Sequence, residues 1–200
     1  MIITFIGHRF VYEYDKLCDM VEKCILKNAE HENSISFYCG GYGSFDNLCA
    51  KVCSKIKQKL KNCEIVFVTP YITISYQKNT ELLLKEKIYT SVIYPPLEKT
   101  PAKFAIVKRN RWMIEEADLV IAYVNKTFGG AYSSLSYAKR KKQEDYKPCR
   151  CVFMTKTDGC SPSVSFFVLL IKLLPCGQRT YLQPLFHIEE CIYPGSSFRG

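Results

Sequence analysis

The chain has 200 residues, 48% of them apolar, and a formal net charge of +9. That length and apolar content support one compact domain with a full core and exclude a compositionally disordered chain. The positive balance suits an anionic partner, either a phosphorylated small molecule or a nucleic acid, and equally fits an ordinary basic, soluble protein.

Eleven cysteines are an odd count, unlike the even sets of short secreted disulfide scaffolds. The opening run, Met1 to Arg9, is too short in apolar residues for a signal peptide and reads as a buried strand. A reducing cytosol with mostly buried thiols, and so a cytoplasmic location, is expected. Cys49 and Cys53 lie one helical turn apart, and Cys149 and Cys151 form a Cys-x-Cys pair. Neither belongs to a paired Cys-x-x-Cys set, and His8, His31 and His187 are scattered, so no metal is expected. The longest apolar stretch, Ser163 to Leu174, contains Lys172 and falls short of the roughly 20 residues of a membrane span. It reads as a buried helix or strand, and no membrane partner is expected.

In chain order, Ile2 to Ile6 is a short apolar run ending at Gly7, a buried strand. Glu13 to Lys27 has helical spacing through Leu17, Met20, Val21, Cys24 and Ile25. Ile35 to Cys39 is a strand stopped by Gly40-Gly41-Tyr42-Gly43, and Phe45 to Leu60 repeats the helical pattern. Glu64 to Val68 is a third strand, closed by Thr69-Pro70-Tyr71. Residues 72–105 are less regular, with a short helix over Glu81 to Lys87, a short strand at Val92 to Tyr94, and loop at the prolines Pro95, Pro96 and Pro101. Ile106 to Ala117 is helical, Leu119 to Val124 is a strand, and Gly129-Gly130 opens a helix over Ala131 to Lys141. The alternation predicts an α/β fold, a Rossmann-like parallel sheet with helices on both faces. Residues 1–150 carry 24 basic and 16 acidic residues, whereas 151–200 carry 4 and 3. Cys151 to Thr155 reads as a last strand, so the Rossmann-like domain spans 1–155 and 156–200 is an atypical C-terminal extension, not a separate domain. The six apolar residues Phe166 to Ile171 are expected to cover part of the sheet or meet a partner.

Four segments fall where a parallel α/β sheet puts its ligand, just past the carboxyl ends of strands. The first is Gly7-His8-Arg9, where glycine admits close backbone approach and arginine pairs with phosphate. The second is Gly40-Gly41-Tyr42-Gly43-Ser44-Phe45-Asp46, whose glycines and helix start aim N–H groups at an anion. Ser44 is placed to cap that helix. Asp46, in its first turn, either complements the helix dipole or accepts hydrogen bonds from ribose hydroxyls. The loop is neither Gly-x-Gly-x-x-Gly nor a Walker loop. The third is Lys108-Arg109-Asn110-Arg111-Trp112, where Arg109 shares a helix face with Met113, and Asn110 with Ile114. The fourth is Gly129-Gly130-Ala131-Tyr132-Ser133-Ser134. Two Gly-Gly loops at strand–helix junctions point to a joint phosphate or nucleotide site.

The order of these segments, with Thr69-Pro70-Tyr71, Ala117-Asp118 and Tyr137-Ala138 between and after them, resembles the SLOG superfamily over about residues 1–142. More narrowly, it is similar to the YpsA-like branch, once catalogued as a domain of unknown function. The resemblance implies a Rossmann-like fold binding nucleotides, nucleotide sugars or NAD-derived molecules, with relatives among phosphoribohydrolases, a DNA-processing protein that binds single strands, and ligand sensors of bacterial conflict systems. The phosphoribohydrolases carry Gly-Gly-x-Gly-Thr-x-x-Glu at the later glycine loop; here the third glycine is Tyr132 and the glutamate is Ser136. Glycosidic cleavage needs an acid or base near the anomeric centre. Asp46 and Glu13 are the only acidic candidates near the loops.

The expectation is therefore binding or sensing of a nucleotide-derived ligand, with no cofactor required. Its site residues are Gly7, His8, Arg9, Gly40, Gly41, Gly43, Ser44, Asp46, Pro70, Tyr71, Arg109, Asn110, Gly129, Gly130 and Ser133. Two alternatives stay open. One is an N-glycosidase acting on nucleoside monophosphates, with Asp46 as its catalytic group. The other is single-stranded nucleic-acid binding, suggested by the net charge and by Lys139-Arg140-Lys141-Lys142, for which the sequence shows no evident platform of spaced exposed aromatics. A homo-oligomer is compatible with all three.

Overall fold

A computed structural model describes the backbone of residues 1–144 and 150–154, and side chains through residue 141. Its strands are β1 (Ile2–Gly7), β2 (Ile35–Cys39), β3 (Cys63–Val68), β4 (Ser91–Ile93), β5 (Leu119–Tyr123) and β6 (Arg150–Met154). The helices between them are α1 (Tyr14–Ala29), α2 (Ser44–Lys59), α3 (Ile74–Lys85), α4 (Ala102–Glu116) and α5 (Gly129–Glu144). The strands pair in parallel in the order β4-β3-β2-β1-β5-β6. The extension expected over 156–200, with its apolar Phe166–Ile171, and the Cys149–Cys151 pair's side chains lie outside the described residues.

Apolar spacing explains which face each helix buries. α1 turns Leu17, Val21, Ile25 and Ala29 inward, an unbroken row four residues apart. α2 buries Phe45, Leu48, Cys49, Val52, Cys53 and Ile56. Both pack on the face of the sheet that presents Ile3, Phe5, Ile35, Phe37 and Ile65. Glu22 fastens the two helices together, accepting hydrogen bonds from Lys55 at 2.6 Å and Lys59 at 2.7 Å. The opposite face is covered by α4 and α5 through Ile114, Leu135 and Ala138 on Ile6, Val120 and Ala122. All five residues of β5 are buried because both of its faces are covered. β2 alternates instead: Phe37 enters the α1–α2 core, while Tyr38 stacks on Trp112 of α4 with ring centres 5.7 Å apart.

The sequence pattern misplaces two helix starts. α3 begins at Ile74, seven residues before the expected Glu81, and buries no residue fully, so no apolar stripe announces its first turns. α4 begins directly after Pro101, a residue read as loop; proline fits a helix's N-terminal edge, where its missing N–H costs nothing. Among the described residues no helix is long and apolar enough to cross a membrane. The described cysteines are free thiols: Cys39, Cys49, Cys53 and Cys63 are buried, Cys18 and Cys24 half-buried.

Phe37 is fully buried at the centre of the α1–α2 layer. Phe37→Ala is expected to cost about 3–5 kcal/mol, seen as a lower urea midpoint with an unchanged slope.

Candidate functional site

The winding of the sheet reverses at β1. Crossovers from β1 through β4 step one way with helices on one face, and α4 then returns the chain across the other face to β5, on the far side of β1. The connections leaving β1 and β5 therefore run to opposite faces of the sheet, and the carboxyl-edge position between them is where doubly wound sheets place the crevice that holds their ligand. The register sets Gly7 beside Tyr123, so both loops leave the sheet at one level.

Three loops meet there. The Asn125 backbone N–H donates to His8 Nε2 at 3.0 Å, joining the β5 loop to the β1 loop. Burial, and then the Lys126 ammonium, lower the His8 pKa, which favours the neutral ring that such an acceptor requires. The Ser44 N–H donates to the Arg9 carbonyl at 2.8 Å, joining the β2 loop to the β1 loop. Close contact demands two of the glycines. A Cβ on Gly7 would lie 2.1 Å from the Phe45 ring, and one on Gly43, at φ +116°, 2.8 Å from the Arg9 Cα. Arg9 itself is exposed. Gly129, at φ +90°, and Gly130 open α5 in free space, and Ser133 is exposed beside them. Ser44 does not cap α2. Gly43 occupies that position with no side-chain hydrogen bond, and Ser44 is the first helical residue, its N–H given to Arg9.

A second cluster lies beside this crevice, where β2 and β3 end. Arg109 enters from α4 and is 1% exposed. Its Nη1 donates to the Val68 carbonyl at 3.1 Å, and the guanidinium sits 5.2 Å from the centre of the Tyr42 ring. Gly40 makes room for it: a Cβ there would fall 2.1 Å from Nη1. Arg109 Nε and the Tyr42 hydroxyl are buried without hydrogen-bond partners. Asp46 reaches the cluster from α2 and accepts the Tyr42 N–H at 2.8 Å. Burial pushes the Asp46 carboxyl up to about 6, although Arg109 and the Tyr42 N–H favour its charged form. Burial lowers the Arg109 pKa from its ordinary value, against the opposing pull of Asp46 and Tyr42. Pro70 is buried at the end of β3, and Thr69 Oγ1 accepts the Tyr71 N–H at 3.3 Å while donating to the Tyr71 carbonyl at 3.0 Å.

The expected site residues thus separate. Gly7, His8, Arg9, Gly43, Ser44, Gly129, Gly130 and Ser133 belong to the loops around the crevice. Gly40, Gly41, Asp46, Pro70, Tyr71 and Arg109 gather about the end of β3. Asn110 stands apart, its Nδ2 donating to Ser134 Oγ at 3.3 Å between α4 and α5. Arg109, expected among the ligand-binding residues, is buried. Its position on the Met113 face sends it under the loop, and both residues are buried. Asn125 and Lys126 join the crevice unannounced. Their only sequence signal is their place just after a wholly apolar strand. No protein-family model matches the chain, and no curated protein matches it.

Two outcomes check this geometry. Gly40→Ala forces a methyl group into the Arg109 guanidinium and is expected to cost about 1–3 kcal/mol. Combined with Arg109→Met it is expected to cost less than the two single changes added, in a urea double-mutant cycle. For Asp46, the folded pKa lies above the unfolded value of about 3.9, so its contribution is most favourable below pH 4, declines as the pH rises to about 6, and is level above that. Asp46→Asn is expected to gain on wild type by on the order of 1–3 kcal/mol between pH 4 and pH 7, read from urea midpoints at each pH.

Proposed function

We propose that the protein binds, as a sensor or carrier, a nucleotide-derived ligand of the nucleotide, nucleotide-sugar, NAD or ADP-ribose type at the crevice between β1 and β5. One observation carries the reading: three strand-end loops, two of them glycine-rich, converge at the sheet's point of reversal and are tied together by the His8–Asn125 and Ser44–Arg9 hydrogen bonds. Arg9 supplies an exposed cation for phosphate, and α5 starts at two glycines, Gly129 and Gly130, with open space at their Cβ positions and helix-start N–H groups to offer an anion. Arg109 and Asp46 act one layer down. They hold the shape of the Gly40–Gly43 loop, the arginine through Val68 and Tyr42, the aspartate through the Tyr42 N–H. The resemblance to the YpsA-like branch of the SLOG superfamily supports the same class of ligand.

A hydrolytic reading draws on a single feature, the desolvated Asp46 carboxyl with its pKa near 6, suited to proton transfer at neutral pH. Its engagement with the Tyr42 N–H favours the structural role.

Calorimetry against AMP, NAD and ADP-ribose is expected to give at least one micromolar dissociation constant, about −8 kcal/mol, weakened about tenfold by Arg9→Ala. Absence of heat and of thermal shift with every member of the panel defeats the proposal. Chromatography of an AMP incubation is expected to show no free adenine. Rapid adenine release that Asp46→Asn abolishes establishes the hydrolytic reading instead.

A further inference from the structure

Exposed aromatic rings stand on the segments that follow β1 and β5. Among the described residues the large apolar side chains left in water include Phe10 at 73% and Tyr12 at 66% in the β1 loop, Phe128 at 69% in the β5 loop, and Tyr132 at 40% in the first turn of α5. Phe10 follows His8 by two residues, and Phe128 follows Asn125 by three. The Phe10 Cα thus lies within about 7 Å of the His8 Cα, and the Phe128 Cα within about 11 Å of the Asn125 Cα, the two residues whose hydrogen bond joins the loops. Burying a phenylalanine is worth about 1.5–3 kcal/mol. Two such rings left in water on loops joined by one hydrogen bond forgo that gain in the free protein.

The charges beside the rings identify what covers them. Arg9 precedes Phe10 directly and is exposed. Lys126, also exposed, lies two residues before Phe128 and holds its ammonium 5.8 Å from the centre of that ring. The nearby acid Glu13 is engaged by Lys16 at 3.7 Å. Each loop therefore carries one cation and one flat apolar face. That pairing complements a molecule with a planar aromatic ring and a phosphate a few ångströms from it. It does not complement an aliphatic chain, which has no charge for the cations, or a bare sugar phosphate, which leaves both rings wet.

We infer that Phe10 and Phe128 form a stacking wall for the base of a free nucleotide, with Arg9 and Lys126 meeting its phosphate. The inference rests on the nucleotide-binding reading above and adds the residues that select an aromatic ligand.

The test uses the full chain and three probes: AMP, ribose 5-phosphate and a dT12 oligonucleotide. AMP is expected to bind, and Phe10→Ala/Phe128→Ala to weaken it about tenfold or more while leaving ribose 5-phosphate, which is expected to bind weakly, within about threefold. Phe10→Trp/Phe128→Trp, which keeps flat faces, is expected to restore AMP affinity. The rings are exposed, so these variants keep the core; circular dichroism checks that they do. The phosphate analogue of 2-aminopurine riboside is expected to lose fluorescence on wild type, through stacking, and to keep it on the double alanine variant. If wild type binds AMP and both alanine changes leave its affinity and the 2-aminopurine signal unaltered, the stacking wall is wrong while the nucleotide reading stands. If wild type binds none of the three probes, the stacking wall falls; if it also binds neither NAD nor ADP-ribose, the nucleotide reading falls with it. If dT12 binds more than tenfold tighter than AMP, persists near physiological salt and depends on the same rings, the occupant is single-stranded nucleic acid and the free-nucleotide assignment is overturned.

Discussion

Parallel pairing of the described strands forces each crossover to return over a face of the sheet, because no tight turn can bring the chain back in the same direction. Every loop that leaves a strand then emerges at one edge and every loop that enters emerges at the other. The chain winds in one direction from β1 to β4 and then starts again on the far side of β1, so among the described connections those leaving the neighbours β1 and β5 run to opposite faces of the sheet. The crevice is a product of that connectivity. Its contents follow from which residues stand just beyond the strand ends: Gly7, His8 and Arg9 after β1, Asn125 and Lys126 after β5.

The second organising element is a cation in the protein interior. A buried guanidinium is costly unless its donors are used, and Arg109 gives one to Val68 and lays its plane near the Tyr42 ring. Gly40 is the concession that makes this possible, and Asp46, on the other face's helix, ties the Tyr42 backbone from the opposite direction. The loop after β2 is thereby fixed from both layers of helices. Arg9 inherits the result, since its carbonyl receives the Ser44 N–H at the start of α2.

Much of this was legible in the sequence. The strand runs at Ile35–Cys39 and Leu119–Tyr123 and the apolar rows of α1 and α2 are strong local signals, and the parallel sheet with helices on both faces follows from their alternation. The start of α3 was not, because a helix that buries nothing writes no period into its residues. The orientation of Arg109 was half legible. Its helical face, shared with Met113, was readable, but which way that face points depends on where α4 lands on the sheet. The exposed rings at the crevice were hidden for a different reason. Phe10 and Phe128 stand in loops, where an aromatic residue looks the same in sequence whether it folds inward or stands in water.

The layer between β2 and α2 holds Cys39, Cys49 and Cys53, with Cys63 at the start of β3, all buried, and burial raises the pKa of Cys49 and Cys53 well above the ordinary thiol range. A thiol that is both inaccessible and protonated is inert to alkylation. Its labelling then requires the α1–α2 layer to lift from the sheet, so the rate at which these sulfurs become modified measures how often that layer breathes. The protein carries, in the packing of its own core, an internal clock for the opening of the face that supports the crevice.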